Sequence, residues 1–172
     1  MTTVRIGNTS SLEKSRIVNT SAGCYLINNL DDNPQLLVIN KRWPDGKEHY
    51  VLPKGHVEGD ETLEETAKRE TTEESGYTDF KLLSYIGSCT YELDWSQIQL
   101  KTDHYYLAIL QSEDKIESKP EEYESDVIIE NIWIDIEEGF KLLTFENQEE
   151  IHQKIREMLS NISSKSSIHL ST

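Results

Sequence analysis

The chain lacks the features that would place it in a membrane or staple it with disulfides. No stretch among its 172 residues approaches the roughly 20 apolar residues needed to span a bilayer. The start, MTTVRIGNTSSLEKS, has no apolar run of signal-peptide length. We therefore expect a cytoplasmic protein with no membrane partner. The two cysteines, Cys24 and Cys89, lie in strand-like segments without metal-type spacing, which favours buried thiols over a disulfide or a zinc site.

Positive charge is also scarce. The chain has 17 Lys and Arg against 32 Asp and Glu, which gives a formal net charge of −15. Such a charge argues against nonspecific binding to nucleic acid or to anionic membranes, because either partner needs a basic surface. A polyphosphate substrate would meet the same repulsion, so it could bind only where metal ions and a few local cations reverse the field. The length and the ordinary composition predict one soluble domain, and we expect a monomer.

The chain divides into three predicted parts. Residues 1–16 are polar and aperiodic, and we expect an arm or a poorly ordered first strand. Residues 17–160 form the predicted domain, and residues 161–172 are a Ser-rich tail that we expect to be disordered. Predicted strands cover residues 21–28, 35–42, 49–52, 80–93, 98–111 and 127–136, and predicted helices cover 63–75 and 147–159. The first two strands are expected to form a hairpin, and the whole pattern indicates a mixed α and β fold.

The first predicted helix has almost nothing apolar to bury, yet its ends are well marked. Thr62 and Glu65 form a capping box, and Gly76 suits the left-handed residue just past the C-terminus. Three acids, Glu70, Glu73 and Glu74, lie together near that C-terminus, where the helix dipole opposes negative charge. A solvated acidic face is one interpretation. The other is that hard divalent cations neutralise the carboxylates, and Mg²⁺ suits such a set of oxygen ligands.

The spacing of this segment resembles the signature of the Nudix hydrolases. That signature is Gly, five residues, Glu, seven residues, Arg-Glu, an apolar residue, any residue, Glu-Glu, any residue, Gly and an apolar residue. Its places are held here by Gly55, Glu61, Arg69, Glu70, Thr71, Glu73, Glu74, Gly76 and Tyr77. The one departure is Thr71, where the family usually has a more apolar side chain. The resemblance implies an α/β/α sandwich around a mixed sheet.

The resemblance also implies roles for the signature residues. Glu70, Glu73 and Glu74 would be catalytic and would hold Mg²⁺, with Mn²⁺ as an alternative, assisted by a backbone carbonyl near Gly55. Arg69 and Glu61 match the charged pair that ties the loop to the helix, although a solvated Arg69 is the plainer alternative. The family's general base is either a signature Glu or a carboxylate on a later loop. Of the acids in that loop, Glu121, Glu122, Glu124 and Asp126, we choose Glu124.

Residues outside the signature are similar to those of the asymmetric diadenosine tetraphosphate hydrolases. The similar segments are PKGHVE at 53–58, KTDHYYLA at 101–108 and LLTF at 142–145. This likeness implies that Lys54, His56 and Lys101 meet phosphates. It further implies that Tyr105 or Tyr106, with Phe145, stacks an adenine, although alternate aromatics on a strand are as readily core residues.

The expected function is Mg²⁺-dependent hydrolysis of dinucleoside polyphosphates by water attack on phosphorus. Diadenosine tetraphosphate would give ATP and AMP. Two alternatives remain open. One is a Nudix enzyme for another nucleoside diphosphate derivative, such as a damaged nucleotide, a diphosphoinositol polyphosphate or capped RNA. The other is a catalytically silent Nudix module that senses a nucleotide.

Overall fold

A computed structural model describes residues 3–6, 16–30, 32–94, 98–119, 126–143 and 148–168. Within these ranges the chain forms strands and helices in the following order: β1 (Thr3–Ile6), β2 (Arg16–Asn28), β3 (Gln35–Arg42), β4 (Glu48–Val51), β5 (Lys54–His56), α1 (Leu63–Ser75), β6 (Phe80–Asp94), β7 (Ile98–Leu110), β8 (Ile128–Asp135), α2 (Ile136–Leu142) and α3 (Glu149–Ile168). None of the helices in the described ranges is long and apolar enough to cross a bilayer.

All eight strands join one mixed sheet. The main path is β1-β6-β7-β2-β3-β4, and β5 and β8 pair with β2 and β3, respectively. The longest strands, β6 and β7, pair antiparallel, as their predicted connection near residues 94–96 requires. β7 then lies parallel to β2 over its whole length. The sheet therefore has a long central ladder, with the shorter strands gathered beside β2 and β3.

The predicted hairpin of β2 and β3 is present only next to its turn. The two strands pair at Ile27 with Leu36 and at Asn28 with Gln35, and then they separate. Earlier in β2, β5 takes the neighbouring position and pairs with residues 21–23. Gly23 makes this crossing feasible, because a Cβ there would lie 2.2 Å from the carbonyl oxygen of Pro53. Because β5 pairs with this part of β2, the loop that connects β5 to α1 begins at the sheet.

Each face of the sheet carries its own apolar cluster. One cluster, which we call the α3 face, contains buried Tyr25, Ile27, Leu107 and Phe140 together with Ile155 of α3. The other, the α1 face, is smaller and consists of seven buried residues: Ala22, Cys24, Leu26, Leu37, Ala67, Tyr77 and Ala108. Helices thus cover both faces. The prediction of an α/β/α sandwich around a mixed sheet is confirmed.

Two elements depart from the sequence prediction. The helix α2, which the sequence analysis did not predict, begins after Asp135, whose side chain accepts hydrogen bonds from the amides of Glu137 and Glu138. The last helix does not end at residue 159 but continues to Ile168, so the expectation of a disordered tail is wrong for residues 161–168. Ile162 packs against the α3-face cluster and gives this extension an apolar contact. At the other end, residues 3–6 form a strand.

Candidate metal and phosphate site

The predicted caps of α1 are present. The amide of Glu65 donates to Thr62 Oγ1 at 3.2 Å, and the amide of Thr62 donates to Glu65 Oε2 at 2.8 Å. At the other end Gly76 has a φ of 80° and its amide donates to the carbonyl of Thr72. The residues that the helix buries are mostly polar: Thr66, Ala67, Glu70, Thr71 and Ser75. Apolar packing therefore contributes little to the position of α1, and polar contacts must fix it.

Arg69 provides most of those polar contacts. Its Nε and Nη2 donate to the two carboxylate oxygens of Glu61 at 2.7 and 2.9 Å, and Nη2 also donates to the carbonyl of His56 at 2.8 Å. The Glu61 carboxylate additionally accepts from Thr66 Oγ1 and from the amide of Glu58. The hydrogen bonds from Arg69 lower the pKa of Glu61 to about 2. The pair thus joins the loop after β5 to the helix, in the place where the sequence predicts a structural pair.

Glu70 lies against the backbone of Gly55. A Cβ added at Gly55 would lie 2.2 Å from Glu70 Cδ and 2.3 Å from each carboxylate oxygen, so only glycine leaves room for this contact. Glu70 is buried, and burial raises the pKa of its carboxyl, opposed by Arg69 and supported by the neighbouring Glu74 and Glu73. The fold therefore brings together the first glycine of the signature and Glu70, the first of the three acids near the end of α1.

Glu74 is held by two donors. Its Oε1 accepts from Lys41 Nζ at 3.0 Å, and its Oε2 accepts from the amide of Lys54 at 2.9 Å. Burial raises the pKa of Glu74, although both lysines oppose this effect. Lys41 was missed by the sequence analysis. The available signal was a lysine near the end of β3, where the preceding residues, from Leu36 onward, are buried.

The third acid, Glu73, and Glu70 both accept from the guanidinium of Arg69. Arg69 Nη1 lies 2.7 Å from Glu70 Oε1 and 3.1 Å from Glu73 Oε2. In the described ranges, no three His, Cys, Asp or Glu side chains are arranged to surround a metal ion as they stand. Carboxylate oxygens are nevertheless the ligands that a hard cation prefers. Arg69 already places a positive charge between Glu70 and Glu73. The residues that could hold it are Gly55 through its carbonyl, Glu70, Glu73 and Glu74.

The predicted phosphate-binding lysines lie beside this group. Lys54 Nζ lies 2.8 Å from Asp103 Oδ2, and Lys101 Nζ lies 3.8 Å from Asp103 Oδ1. Asp103 is a second residue that the sequence analysis missed, and the available signal was its position on the same face of the predicted strand as Lys101, two residues further on. His56 is the last residue of β5, and its side chain is exposed. The structure therefore brings Lys54 and Lys101 together and leaves His56 at the surface nearby.

The two tyrosines that the sequence offers for base stacking lie in different surroundings. Tyr105 has no exposed surface and packs edge-to-face on Tyr25 at 5.4 Å, so the core alternative is correct for this residue and its predicted stacking on adenine is wrong. Tyr106 points to the opposite face, where it meets Tyr85. Glu124 and Phe145, with Glu121 and Glu122, lie outside the described residues. Asp126 is exposed just before β8.

Comparison with known proteins agrees with this fold. The NUDIX domain family matches residues 19–159, and the chain belongs to that family. It is 28% identical over 150 residues to the "Putative mutator protein MutT4" of Mycobacterium tuberculosis (strain CDC 1551 / Oshkosh), which covers 84% of this chain and 57% of that protein. It is 34% identical over 61 residues to the "Putative nudix hydrolase 1" of Caenorhabditis elegans, which covers 36% of this chain and 17% of that protein. The chain thus spans little more than half the length of the first relative and less of the second.

Solved structures share the fold. A crystal structure of a C. elegans Ap4A hydrolase binary complex superposes with a TM-score of 0.66 at 22% identity, covering 83% of this chain and 98% of that one. The NUDIX domain of Shewanella oneidensis NrtR, complexed with ADP ribose, superposes with a TM-score of 0.60 at 16% identity, covering 83% and 89%. At these identities the similarity establishes the architecture alone.

Proposed function

We propose that the chain is a Nudix hydrolase that cleaves phosphoanhydride bonds by water attack on phosphorus. The observation that carries the proposal is the contact of the Glu70 carboxylate with Gly55, beside Glu73 and Glu74 at the same end of α1. A bound Mg²⁺, or Mn²⁺ in its place, would neutralise phosphate charge and lower the pKa of an attacking water. No protein nucleophile is required for this chemistry.

The chain's own residues would orient the reacting groups. Arg69 keeps Glu70 and Glu73 close together through one guanidinium nitrogen. Lys41 and the amide of Lys54 fix both oxygens of Glu74, so that carboxylate has a single orientation. Glu70, whose pKa is raised by burial, is suited to accept a proton from water, and Glu124 remains the alternative base proposed from the sequence.

We propose a dinucleoside polyphosphate as substrate, with diadenosine tetraphosphate split into ATP and AMP. The motif residues that resemble asymmetric diadenosine tetraphosphate hydrolases support this choice, as do Lys54 and Lys101, which place two ammonium groups close to the acids. The burial of Tyr105 leaves Tyr106 and Phe145 as the proposed base clamp, and another nucleoside diphosphate derivative is the second candidate. We further propose that the protein acts as a monomer in the cytoplasm, which size-exclusion chromatography and imaging of a tagged chain would test.

A nucleotide panel in ¹⁸O-labelled water with Mg²⁺ tests the function. We expect diadenosine tetraphosphate to be the best substrate, with one labelled oxygen in one of the two products and no turnover once the metal is chelated. Equal turnover of many nucleoside diphosphate derivatives would reject the four-phosphate substrate and retain the hydrolase. No turnover of any nucleotide would reject the hydrolase in favour of a silent nucleotide-binding module.

Variants of α1 test the site. Glu73→Gln and Glu74→Gln should lower kcat by about 100-fold or more while the circular dichroism spectrum stays native. The matched control is Glu64→Gln, since Glu64 lies on the same helix but is exposed and pairs with Lys68. Full activity in the first two variants, or equal loss in all three, would contradict the assignment.

A further inference from the structure

Five largely buried charged side chains, one of them Glu74 of α1, form a cluster beside the acidic end of that helix. Lys41 pairs with Glu74, Lys54 pairs with Asp103, and Lys101 approaches Asp103 from the same strand. Each of the five side chains is at most 18% exposed. Within this cluster the ammonium groups outnumber the carboxylates by one. In a chain of net charge −15, such a local positive excess is the kind of site that can receive an anion.

The side chain of Asp103 forms ion pairs with two of these lysines, Lys54 and Lys101. Its Oδ2 accepts hydrogen bonds from Lys54 Nζ at 2.8 Å and from Tyr91 Oη at 2.9 Å. Its Oδ1 is buried and accepts no hydrogen bond among the described residues, although Lys101 Nζ lies 3.8 Å away. In the part of the chain that the structure describes, Asp103 is also the only ion-pair partner of Lys101. One carboxylate therefore balances two ammonium groups from two different strands.

The surroundings of Lys101 make that balance important. Burial and the charges of Lys54 and Lys41 favour the neutral amine, whereas Asp103 and Glu74 favour the ammonium ion. Burial and the two lysine charges outweigh the two acids, so the pKa of Lys101 lies below its ordinary value. Removing Asp103, the nearest acid, would lower the pKa of Lys101 further.

We propose that Asp103 is a positioning residue that keeps Lys101 charged and directs it, with Lys54, as a pair that binds the phosphates of the substrate. The proposal rests on the proposed function only in that a phosphate chain is the ligand. Asp103 itself is 1% exposed and is buried behind the lysines, so it acts through them and does not meet the substrate.

The test is the affinity for inorganic tripolyphosphate, measured by isothermal titration without metal from about pH 6 to about pH 9. The quantity compared is the Kd of Asp103→Asn divided by the Kd of the native chain, which cancels the titration of the ligand. We expect a ratio near or below one at the acid end, where Lys101 is still charged. The ratio should rise about tenfold or more toward alkaline pH, because the variant loses the Lys101 charge first.

Two further variants distinguish this role from simple disruption. Tyr91→Phe removes a hydrogen bond to Asp103 but no charge, so its ratio should stay flat with pH. In a Lys101→Met background the effect of Asp103→Asn should lose its pH dependence, because the titrating group is gone. A rise with Tyr91→Phe, a rise that persists without Lys101, or no tripolyphosphate binding by the native chain would each overturn the proposal.

A measurement on the native chain holds even where Asp103→Asn fails to fold. Reductive ¹³C-methylation with NMR detection reports the charge of each lysine, and Lys101→Arg assigns the signal. Lys101 should remain protonated at about pH 7.5, and a neutral Lys101 at that pH would overturn the proposal. Hydrolysis of nucleotides is not an input to any of these measurements, so a failure of the proposed function would be seen separately.

Discussion

The two helical faces of the sheet are held in place by different forces. On the α3 face, buried Ile151, Ile155 and Leu159 of the helix pack against an apolar cluster. On the α1 face, the helix buries mostly polar residues and is tied to its loop by the Arg69 guanidinium. Mutually repelling acids can therefore remain at the end of α1, since the stability of the domain depends chiefly on the other face.

The buried polar groups differ in the same way. On the α3 face they are neutral: Tyr25 Oη donates to Gln148 Oε1 at 2.9 Å and lies 3.1 Å from His152 Nε2. His152 stacks on Phe140 at 3.9 Å, and burial lowers the pKa of its imidazole to about 4. On the α1 side the buried polar groups also include charged side chains, and these are paired. The comparison indicates that one face is built for stability and the other for binding charge.

The largest expected effect is on the α3 face. Ile155→Ala removes a side chain with no exposed surface, and the lost burial and the resulting cavity should cost about 2–5 kcal/mol of unfolding free energy. Urea unfolding followed by circular dichroism measures this cost. The control is Ile116→Ala, because Ile116 is 52% exposed and its loss should change stability by about 0.5 kcal/mol at most. Similar costs at the two positions would refute the apolar role of this face.

Gly55→Ala should affect activity more than stability. Its new Cβ would collide with the Glu70 carboxylate, and displacing that group by about 1 Å should lower kcat about 100-fold. The strain itself should cost about 1–3 kcal/mol. Gly46→Ala is the control, since Gly46 has a φ of 84° and no neighbour within 4 Å, so it should lose about 1 kcal/mol of stability and no activity. Unchanged turnover in Gly55→Ala would contradict the assigned contact.

Acid should destabilise the two faces in different pH windows. The lowered pKa of His152, about 4 against an ordinary 6.5, means that the fold favours the neutral ring, so its contribution is lost as pH falls from 6.5 to 4. The lowered pKa of Glu61, about 2 against 4.5, means that the fold favours the carboxylate, so its contribution is lost as pH falls from 4.5 to 2.

One variant tests the assignment of each pH window. His152→Gln should flatten the dependence of unfolding free energy on pH in the upper window alone, and Glu61→Gln should do so in the lower window alone. Urea unfolding at a series of pH values measures both curves. Variant and native curves that run parallel through the assigned window would rule out that residue as the titrating group.

The smallest expected effect is at an exposed pair on α1. Lys68 Nζ lies 2.8 Å from Glu64 Oε1, but both side chains are about half exposed, so Lys68→Ala should cost about 0.5 kcal/mol or less and leave turnover intact. Thermal melting and a turnover assay would check this. A larger loss would show that α1 depends on its surface charges as well as on Arg69.

The sequence correctly predicts those helices and strands whose bounds are determined by nearby residues. The bounds of α1 and β3 agree with their predictions, because the caps of α1 and the turn residues before β3 are signals within a few residues of these elements. The seven-residue α2 was missed because it is short and carries Gly139, although Asp135 offered a cap. The remaining differences concern which strands pair, such as β5 with β2, and these pairings depend on contacts between residues far apart in the chain.

The candidate site follows the same division. The signature spacing predicts that Glu61 meets Arg69, and the structure contains that contact. Lys41 and Asp103 were missed because their partners, Glu74 on α1 and Lys54 on β5, lie on other elements far along the chain. The choice between Tyr105 and Tyr106 was open because adjacent strand residues face opposite sides, and only the packing reveals which side is filled.

Metal binding by the acidic end of α1 is the central claim, and calorimetric titration of Mg²⁺ tests it most directly. The titration would be made in the presence of a nonhydrolysable dinucleoside tetraphosphate. The native chain and Glu64→Gln should bind the ion alike, whereas Glu70→Gln and Glu73→Gln should weaken binding about tenfold or more. Equal Mg²⁺ affinity in all four proteins would contradict the account.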